Sequence, residues 1–246
     1  MFGGELTPGG PVTLKQSPLD AIHRELGASF TDFAGWDMPV RYTSDLAEHH
    51  AVRTSAGLFD LSHMAEIYLS GPESGAALDF ALAGTLSTIP IGRAKYSLIL
   101  SEQGTVIDDV VVYRLGDNEF LVVANAGNRF PAAAAIRERA ANFDCVVDDR
   151  SDDVALIAVQ GPNALAILEE TAGLDSVGLA ELGYYRCLPR SFAETPVLIG
   201  RTGYTGEDGF ELYIENAHAA DLWKALTSAG ASHELLACGL ACRDTL

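Results

Sequence analysis

The stretch Val106-Ile-Asp-Asp-Val-Val-Val-Tyr-Arg-Leu115 decides how this sequence folds, because its side chains alternate between two faces as in a β-strand. A tight turn at 116–118 leads into a second apolar segment at 119–124, so these two strands are predicted to be antiparallel neighbours. Further strands are predicted at 64–70, 96–100 and 145–147, with helices at 72–83 and 131–141. The stretch therefore predicts an antiparallel α+β module and argues against a doubly wound parallel sheet.

Two neighbouring aspartates lie in this strand and point to opposite faces. Asp108 shares its face with Arg114, which could offset its charge. Asp109 stands among apolar and aromatic neighbours, where a carboxylate loses solvation unless another group donates hydrogen bonds to it. Asp109 either binds backbone amides of a nearby turn or is a functional carboxylate, and the alternation alone leaves both interpretations open.

A glycine-rich loop at 201–209 is the second segment with chemical potential. A phosphate-binding role is disfavoured because Glu207 and Asp208 would face the phosphate. Their acidity suits a ligand rich in donors, such as a pterin ring, whose adjacent N–H and NH₂ groups one carboxylate can accept together. A plain hairpin leading into 210–215 is the alternative, and composition does not choose between the two.

The pattern of strand, Gly-Pro turn and helix occurs twice, at 65–84 and at 154–173, which suggests two α+β modules. Residues 1–16 lack the basic and apolar regions of a signal peptide and are predicted to be a flexible leader. A helix begins near Gly239 and shows no stop signal, which predicts that a further segment follows.

Composition excludes several classes of function. A formal net charge of −18 disfavours nucleic-acid binding and docking to anionic membranes, and no apolar run is long enough to span a bilayer. The four scattered cysteines suit a reducing compartment, so a cytoplasmic location is expected. Cys238 and Cys242 are interpreted as core residues on one helix face, and no metal site is predicted. The Ser62-His63 and His49-His50 pairs lack a third catalytic group and are interpreted as structural.

Six motifs, spread from about residue 17 to the last residue and in the same order, resemble the T-protein family of the glycine cleavage system. They are Asp32-Phe-Ala-Gly-Trp-Asp-Met-Pro39, Gly57-Leu-Phe-Asp-Leu-Ser-His-Met64, Gly104-Thr-Val-Ile-Asp-Asp109, Val122-Val-Ala-Asn125, Arg201-Thr-Gly-Tyr-Thr-Gly-Glu-Asp-Gly-Phe-Glu211 and Gly239-Leu-Ala-Cys-Arg-Asp244. One small departure is Ala65, where the family pattern would have Gly.

The resemblance implies a folate-binding cloverleaf fold. Residues 17–62 and 150–246 would form a split first domain around an inserted ferredoxin-like domain at 63–149, and the family's third domain is absent. It further implies aminomethyl transfer from the dihydrolipoyl arm of H-protein to tetrahydrofolate, with release of ammonia and without a metal. Asp109 matches the catalytic carboxylate, and the matched folate-binding positions are Glu207, Arg243, Asn125, Tyr96, Met64, Val111 and Tyr113.

Three other functions remain open at this point. A related folate-dependent demethylase would use an N-methyl or sulfonium donor. A non-catalytic folate-binding protein that supports iron–sulfur assembly would carry a Lys-Gly-Cys-Tyr-x-Gly-Gln-Glu loop, and Thr202-Gly203-Tyr204 has no Cys. A β-rich module without a ligand would not respond to tetrahydrofolate.

Overall fold

The computed structural model describes residues 13–246. The predicted leader lies outside the described residues up to position 12, but Lys15 and Gln16 form a short strand beside Trp36 and Asp37. The Lys15 ammonium lies 4.0 Å from the centre of the Trp36 ring, a cation–π contact that supports this pairing. The elements up to residue 60 are β1 (Lys15–Gln16), α1 (Asp20–Glu25), β2 (Ser29–Phe33), β3 (Trp36–Arg41), α2 (Asp45–Thr54) and β4 (Ala56–Asp60).

The middle of the chain forms a five-stranded sheet in the order β6-β7-β8-β5-β9, in which all neighbours are antiparallel. Without the edge strand β6, the element order and strand order are those of a ferredoxin-like module. This confirms the predicted α+β class with antiparallel strands. The elements are β5 (Ala65–Ser70), α3 (Ser74–Ala81), β6 (Ala94–Leu100), β7 (Val106–Gly116), β8 (Glu119–Ala124), α4 (Arg129–Ala140) and β9 (Val146–Asp149).

β1, β2 and β3 form a separate three-stranded sheet in the order β1-β3-β2. β4 and the strands after residue 150 build a six-stranded sheet in the order β11-β12-β13-β10-β4-β14. β4, which precedes the five-stranded sheet in the chain, pairs antiparallel with β10, which follows it, and in parallel with β14. A split first domain requires this arrangement, and its boundaries at residues 62 and 150 stay predictions. The elements are β10 (Val154–Gln160), α5 (Ala164–Glu170), β11 (Arg186–Phe192), β12 (Thr195–Arg201), β13 (Gly209–Glu215), α6 (Asn216–Gly230), β14 (Leu235–Cys238) and α7 (Leu240–Thr245).

The repeated strand–turn–helix pattern is present in both halves, as β5–α3 and β10–α5. Each turn contains a glycine with positive φ, Gly71 at +128° and Gly161 at +134°. A Cβ atom would lie 2.7 Å from the Asp144 carbonyl oxygen at the first and 2.6 Å from that of Ser55 at the second. Only glycine fits at either position, because both the conformation and the close backbone approach exclude a side chain.

Within the described part of the chain, four apolar clusters hold the molecule together, and the smallest consists of Trp36, Met38 and Leu240. One lies beneath α5 and α6 on the six-stranded sheet, and a second lies beneath α3 and α4 on the five-stranded sheet. The third packs the two sheets against each other and includes Phe59, Tyr113, Leu121, Leu156 and Tyr213. The interface between the sheets therefore has its own core, and the candidate site opens beside it. Among residues 13–246, no helix is both long enough and apolar enough to cross a membrane.

Candidate functional site

A cavity of about 430 Å³ opens between the two sheets. This volume falls within the range of roughly 300–1,000 Å³ that small-molecule sites occupy. Apolar walls and a few convergent polar groups, also typical of such sites, surround it. Six of the eight residues singled out from the sequence line it: Met64, Tyr96, Asp109, Val111, Asn125 and Arg243.

Asp109 lies at the open end of this cavity on β7, and its side chain is exposed. Its Oδ1 accepts a hydrogen bond of 2.9 Å from the Asn125 side-chain amide. Tyr96, on the neighbouring strand β6, stands beside it, and partial desolvation together with the Asp109 carboxylate raises the pKa of the phenol. Asp109 is thus a solvent-accessible carboxylate flanked by two groups that can donate hydrogen bonds.

The two aspartates of β7 lie on opposite faces, as predicted, but their environments differ from the expectation. Asp108 is the buried one, with 2% of its surface exposed. Arg114 does not pair with it, because its guanidinium donates to the carbonyl oxygens of Ser87 and Ile89 at 2.9 Å each. The Asp108 carboxylate is satisfied by asparagine donors instead, which relieves the cost of its burial.

Glu211 on β13 is a cavity residue that the sequence reasoning missed as a ligand-binding group. Its Oε2 accepts hydrogen bonds from the hydroxyls of Thr202, Tyr113 (3.2 Å) and Tyr213 (3.5 Å). Burial raises the pKa of Glu211, and the three hydroxyl donors partly oppose that shift. Glu211, Tyr213 and Glu215 do alternate along β13 in the sequence. This pattern is typical of a strand face exposed to solvent, so it does not identify Glu211 as a ligand-binding group unless the burial of Tyr213 is known.

Tyr113 does not line the cavity, although the family resemblance implies that it is a folate-binding position. Its side chain is fully buried behind Glu211, and its hydroxyl lies 2.8 Å from Thr202 Oγ1. Burial raises the pKa of this phenol well above its ordinary value, so it stays protonated and serves as a donor to Glu211. Tyr113 therefore supports the wall of the cavity from behind.

Glu207 also lies outside the cavity, whereas Asp109 and Arg243, which the family resemblance assigns to the same site, both line it. Its carboxylate pairs with the Arg53 guanidinium at 3.0 Å. Arg53 also donates to the Thr205 carbonyl oxygen at 2.5 Å. Glu207 thus helps α2 hold the glycine-rich loop, and in this structure its charge is already offset.

Arg243 reaches the cavity from α7, and its guanidinium lies 4.8 Å from the centre of the Tyr204 ring. Burial lowers the pKa of Arg243, and its side chain has no hydrogen bond or ion pair with any other residue of the described range 13–246. The start of α7 is held by Glu48, whose Oε2 accepts from the Gly239 amide at 2.9 Å. A desolvated guanidinium without an acceptor is well suited to bind an oxygen of a ligand.

One group of described residues has the composition of a metal site, namely Glu48, Cys238 and Cys242. Oε1 of Glu48 already accepts from the amides of Tyr42 and Thr43 at 2.8 Å each. Its carboxylate therefore secures backbone amides, and the two thiols are buried core groups, as predicted. They do not share one helix as expected, because Cys238 ends β14 and Cys242 lies in α7.

The stability of the fold is expected to depend on pH through His63. Its ring packs edge-on against Phe33 at 5.2 Å, and neither ring nitrogen has a hydrogen-bond partner among the described residues. Burial lowers the pKa of His63 to about 4. The unfolded chain then binds a proton more readily than the folded one. The free energy of unfolding is therefore undiminished above the ordinary pKa of histidine, where His63 is neutral in both states. It falls as the pH drops from that value towards 4, because the unfolded chain takes up a proton that the folded chain does not.

We expect His63 to remove up to about 1.4 kcal/mol of unfolding free energy per pH unit in this window. Urea unfolding of the chain and of His63→Phe between pH 7 and pH 4.5 measures the contribution as the difference between the two slopes. Parallel slopes for both proteins would show that His63 is not kept neutral by the fold.

The chain is similar to several known proteins. The family model described as the GCVT N-terminal domain matches residues 19–246. Curated aminomethyltransferases are similar along most of the chain. That of Cutibacterium acnes is 57% identical over 239 residues, which is 95% of this chain and 64% of the relative. That of Streptomyces coelicolor is 54% identical over 233 residues, which is 95% of this chain and 62% of the relative. The chain thus spans somewhat less than two thirds of the length of these curated relatives.

Two solved structures resemble the fold. The glycine cleavage system aminomethyltransferase T from Bartonella henselae superposes with a TM-score of 0.86 at 37% identity, covering 95% of this chain and 62% of that protein. A heterotetrameric sarcosine oxidase from Corynebacterium sp. U-96 superposes with a TM-score of 0.59 at 19% identity, covering 89% of this chain and 95% of the matched chain. The second likeness concerns the fold alone.

Proposed function

Because this chain belongs to the GCVT N-terminal domain family, we propose that it carries the folate site and the catalytic carboxylate of a glycine cleavage aminomethyltransferase. In this reaction the dihydrolipoyl arm of H-protein carries an aminomethyl group, tetrahydrofolate accepts the carbon, and ammonia leaves. The proposal includes tetrahydrofolate as co-substrate, lipoylated H-protein as partner and the cytoplasm as location. The curated aminomethyltransferases that match most of this chain support it.

The observation that carries the proposal is a pair of carboxyl groups with different environments in one cavity. Glu211 is held by three hydroxyls in the cavity wall, whereas Asp109 is accessible at the open end. A pterin ring presents adjacent N–H and NH₂ donors that one carboxylate can accept together. We assign this role to Glu211 in place of Glu207, since the Glu207 carboxylate is already paired with Arg53.

Arg243 complements the two carboxyl groups. Its guanidinium has no acceptor among the described residues and stands over the Tyr204 ring on the cavity wall. A carbonyl or carboxylate oxygen of folate would satisfy it. The apolar side chains of Met64 and Val111 form part of the remaining wall and exclude water from a bound ring.

The chemistry that these residues can perform is proton transfer and charge stabilisation. The aminomethyl carbon becomes electron-poor as its bond to nitrogen breaks and ammonia departs. Its bond to the dihydrolipoyl sulfur breaks as well, and two folate nitrogens each lose a proton as they bond to that carbon. The two protons leave with the departing amine and the released thiol. Asp109 at the open end can orient one of these nitrogens, accept its proton and stabilise positive charge on the carbon. Asn125 donates a hydrogen bond to this carboxylate, and Tyr96 stands beside it.

The proposal is tested by binding and turnover measured on the same protein. Calorimetric titration with tetrahydrofolate should show saturable binding. Incubation with aminomethylated H-protein should release ammonia only when tetrahydrofolate is present, with the Cutibacterium acnes aminomethyltransferase as a positive control. Turnover only with an N-methyl or sulfonium donor would identify a demethylase. Binding without turnover would identify a folate-binding protein if a chain extended through the family's third domain is inactive as well. Absence of binding would overturn the folate site.

A further inference from the structure

A buried network connects Asp108 to the cavity, although Asp108 does not line it. Oδ1 of Asp108 accepts from the side-chain amides of Asn125 (3.0 Å) and Asn128 (2.6 Å). Oδ2 accepts from the backbone amide of Asn125 at 2.9 Å. Three donors therefore surround one carboxylate that is almost inaccessible to solvent, an arrangement that fixes the position of every group in it.

The side-chain amide nitrogen of Asn125 also contacts Asp109, the other aspartate of β7. It donates to Asp109 Oδ1 at 2.9 Å and lies 3.1 Å from the Asp109 carbonyl oxygen. Because an amide carries two hydrogens in one plane, holding one hydrogen on Asp108 aims the other at Asp109. Asn125 therefore spans both faces of β7 at the point where the chain leaves β8.

From this geometry we infer that Asp108 is a positioning residue for Asp109 and acts through the amide of Asn125. Asp108 secures the amide on the buried face of β7, and the amide in turn fixes the rotamer of the Asp109 carboxylate at the mouth of the cavity. The inference rests on the proposed function, because it gives Asp108 a part in a reaction performed at Asp109.

If Asp108 positions Asp109 through Asn125, replacing Asp108 should disturb the placement of the Asp109 carboxylate and not only the stability of the fold. In Asp108→Asn, the new amide oxygen can accept from one Asn125 donor, but its NH₂ group then faces another donor. Asn125 would rotate to find an acceptor, and the Asp109 carboxylate would lose its restraint. Small errors in the placement of a reacting group lower the reaction rate strongly, so the substitution should reduce turnover more than folate binding.

A matched control exists in the same sheet module. Asp79 on α3 also satisfies neighbouring donors, accepting from the amides of Leu86 and Ser87 and from the Ser87 hydroxyl. It does not line the cavity. Asp79→Asn should therefore reproduce the loss of stability without the loss of positioning.

The test compares wild type, Asp108→Asn and Asp79→Asn by kcat and KM for tetrahydrofolate and by melting temperature. We expect Asp108→Asn to lower kcat about tenfold or more and to change KM by less than about threefold. Asp79→Asn should leave kcat within about twofold of wild type. If both variants lose similar stability and neither loses kcat, Asp108 is only structural. Asn128→Ala, which leaves both aspartates in place, should lower kcat in the same direction if Asp108→Asn does not fold.

A second readout does not depend on turnover. The NH₂ resonances of the Asn125 side chain, assigned by their disappearance in Asn125→Ser, should shift in Asp108→Asn and remain in place in Asp79→Asn. Unchanged resonances in Asp108→Asn would overturn the positioning role even if the enzyme is active. Shifted resonances in a protein that does not bind tetrahydrofolate would support the network and reject the proposed function.

Discussion

Replacing Asp109 with asparagine is expected to lower tetrahydrofolate-dependent ammonia release by about 100-fold, the effect of losing a general acid–base group. The fold should survive, because the amide is nearly isosteric and its oxygen can still accept the hydrogen bond from Asn125. What the variant loses is the negative charge and the capacity to take a proton at the mouth of the cavity. The measurement is kcat at saturating tetrahydrofolate, with circular dichroism as a check on folding.

Asp117→Asn is the matched control for this variant. Asp117 lies in the turn between β7 and β8, and its side chain is exposed and outside the cavity. The Asp117→Asn substitution removes the same charge from the same hairpin and should leave turnover within about twofold of wild type. Activity of Asp109→Asn within about threefold of wild type would mean that proton transfer occurs at another group.

Replacing Glu211 with glutamine is expected to raise the dissociation constant of tetrahydrofolate roughly 10- to 100-fold. A hydrogen bond to a charged group contributes about 1.5–3 kcal/mol, and the amide can accept only one of the two adjacent donors of a pterin. The hydroxyls of Tyr113 and Thr202 can still donate to the remaining amide oxygen, so the cavity wall should persist. Calorimetric titration measures the change directly.

Two controls separate Glu211 from its neighbours. Glu215 lies on the same strand and face but is exposed, so Glu215→Gln should leave the dissociation constant unchanged. Glu207→Gln should weaken binding less than Glu211→Gln, since Glu207 acts on the loop through Arg53. A larger effect at Glu207 would restore the assignment made from the motif and remove the one made from the geometry.

The pH dependence of folate affinity should follow from the same site. Because burial raises the pKa of Glu211, its carboxyl takes up a proton at a higher pH than an ordinary glutamate. The protonated form cannot accept both pterin donors, so affinity should fall with pH earlier than an exposed glutamate would allow. Glu211→Gln should lack this decline.

Alternation along β7 predicted correctly that Asp108 and Asp109 face opposite ways, because side-chain direction in a strand is a local property. Which face is buried is not local. The donors that satisfy Asp108 come from Asn125 and Asn128, which the chain brings to β7 only after β8 has paired with it. The expected partner, Arg114, instead donates hydrogen bonds to the backbone carbonyl oxygens of Ser87 and Ile89.

The motif Arg201–Glu211 contains two glutamates four residues apart, and its sequence did not distinguish their roles. Arg53 lies 154 positions before Glu207 in the chain and takes that charge. Tyr113 lies 98 positions before Glu211 and donates to it from a different sheet. Neither partner can be read from the motif itself.

The sequence by itself predicted the strands of the five-stranded sheet and their faces, the glycine turns and, through the family resemblance, six of the cavity residues. The strands, their faces and the turns depend on backbone geometry and side-chain periodicity over short stretches. The tertiary structure alone decided that Glu211, and not Glu207, is a carboxyl group of the cavity, and that Asp108 is held by asparagines. The reason is physical: burial, desolvation and hydrogen-bond partners are set by residues distant in the chain that meet only when the two sheets pack.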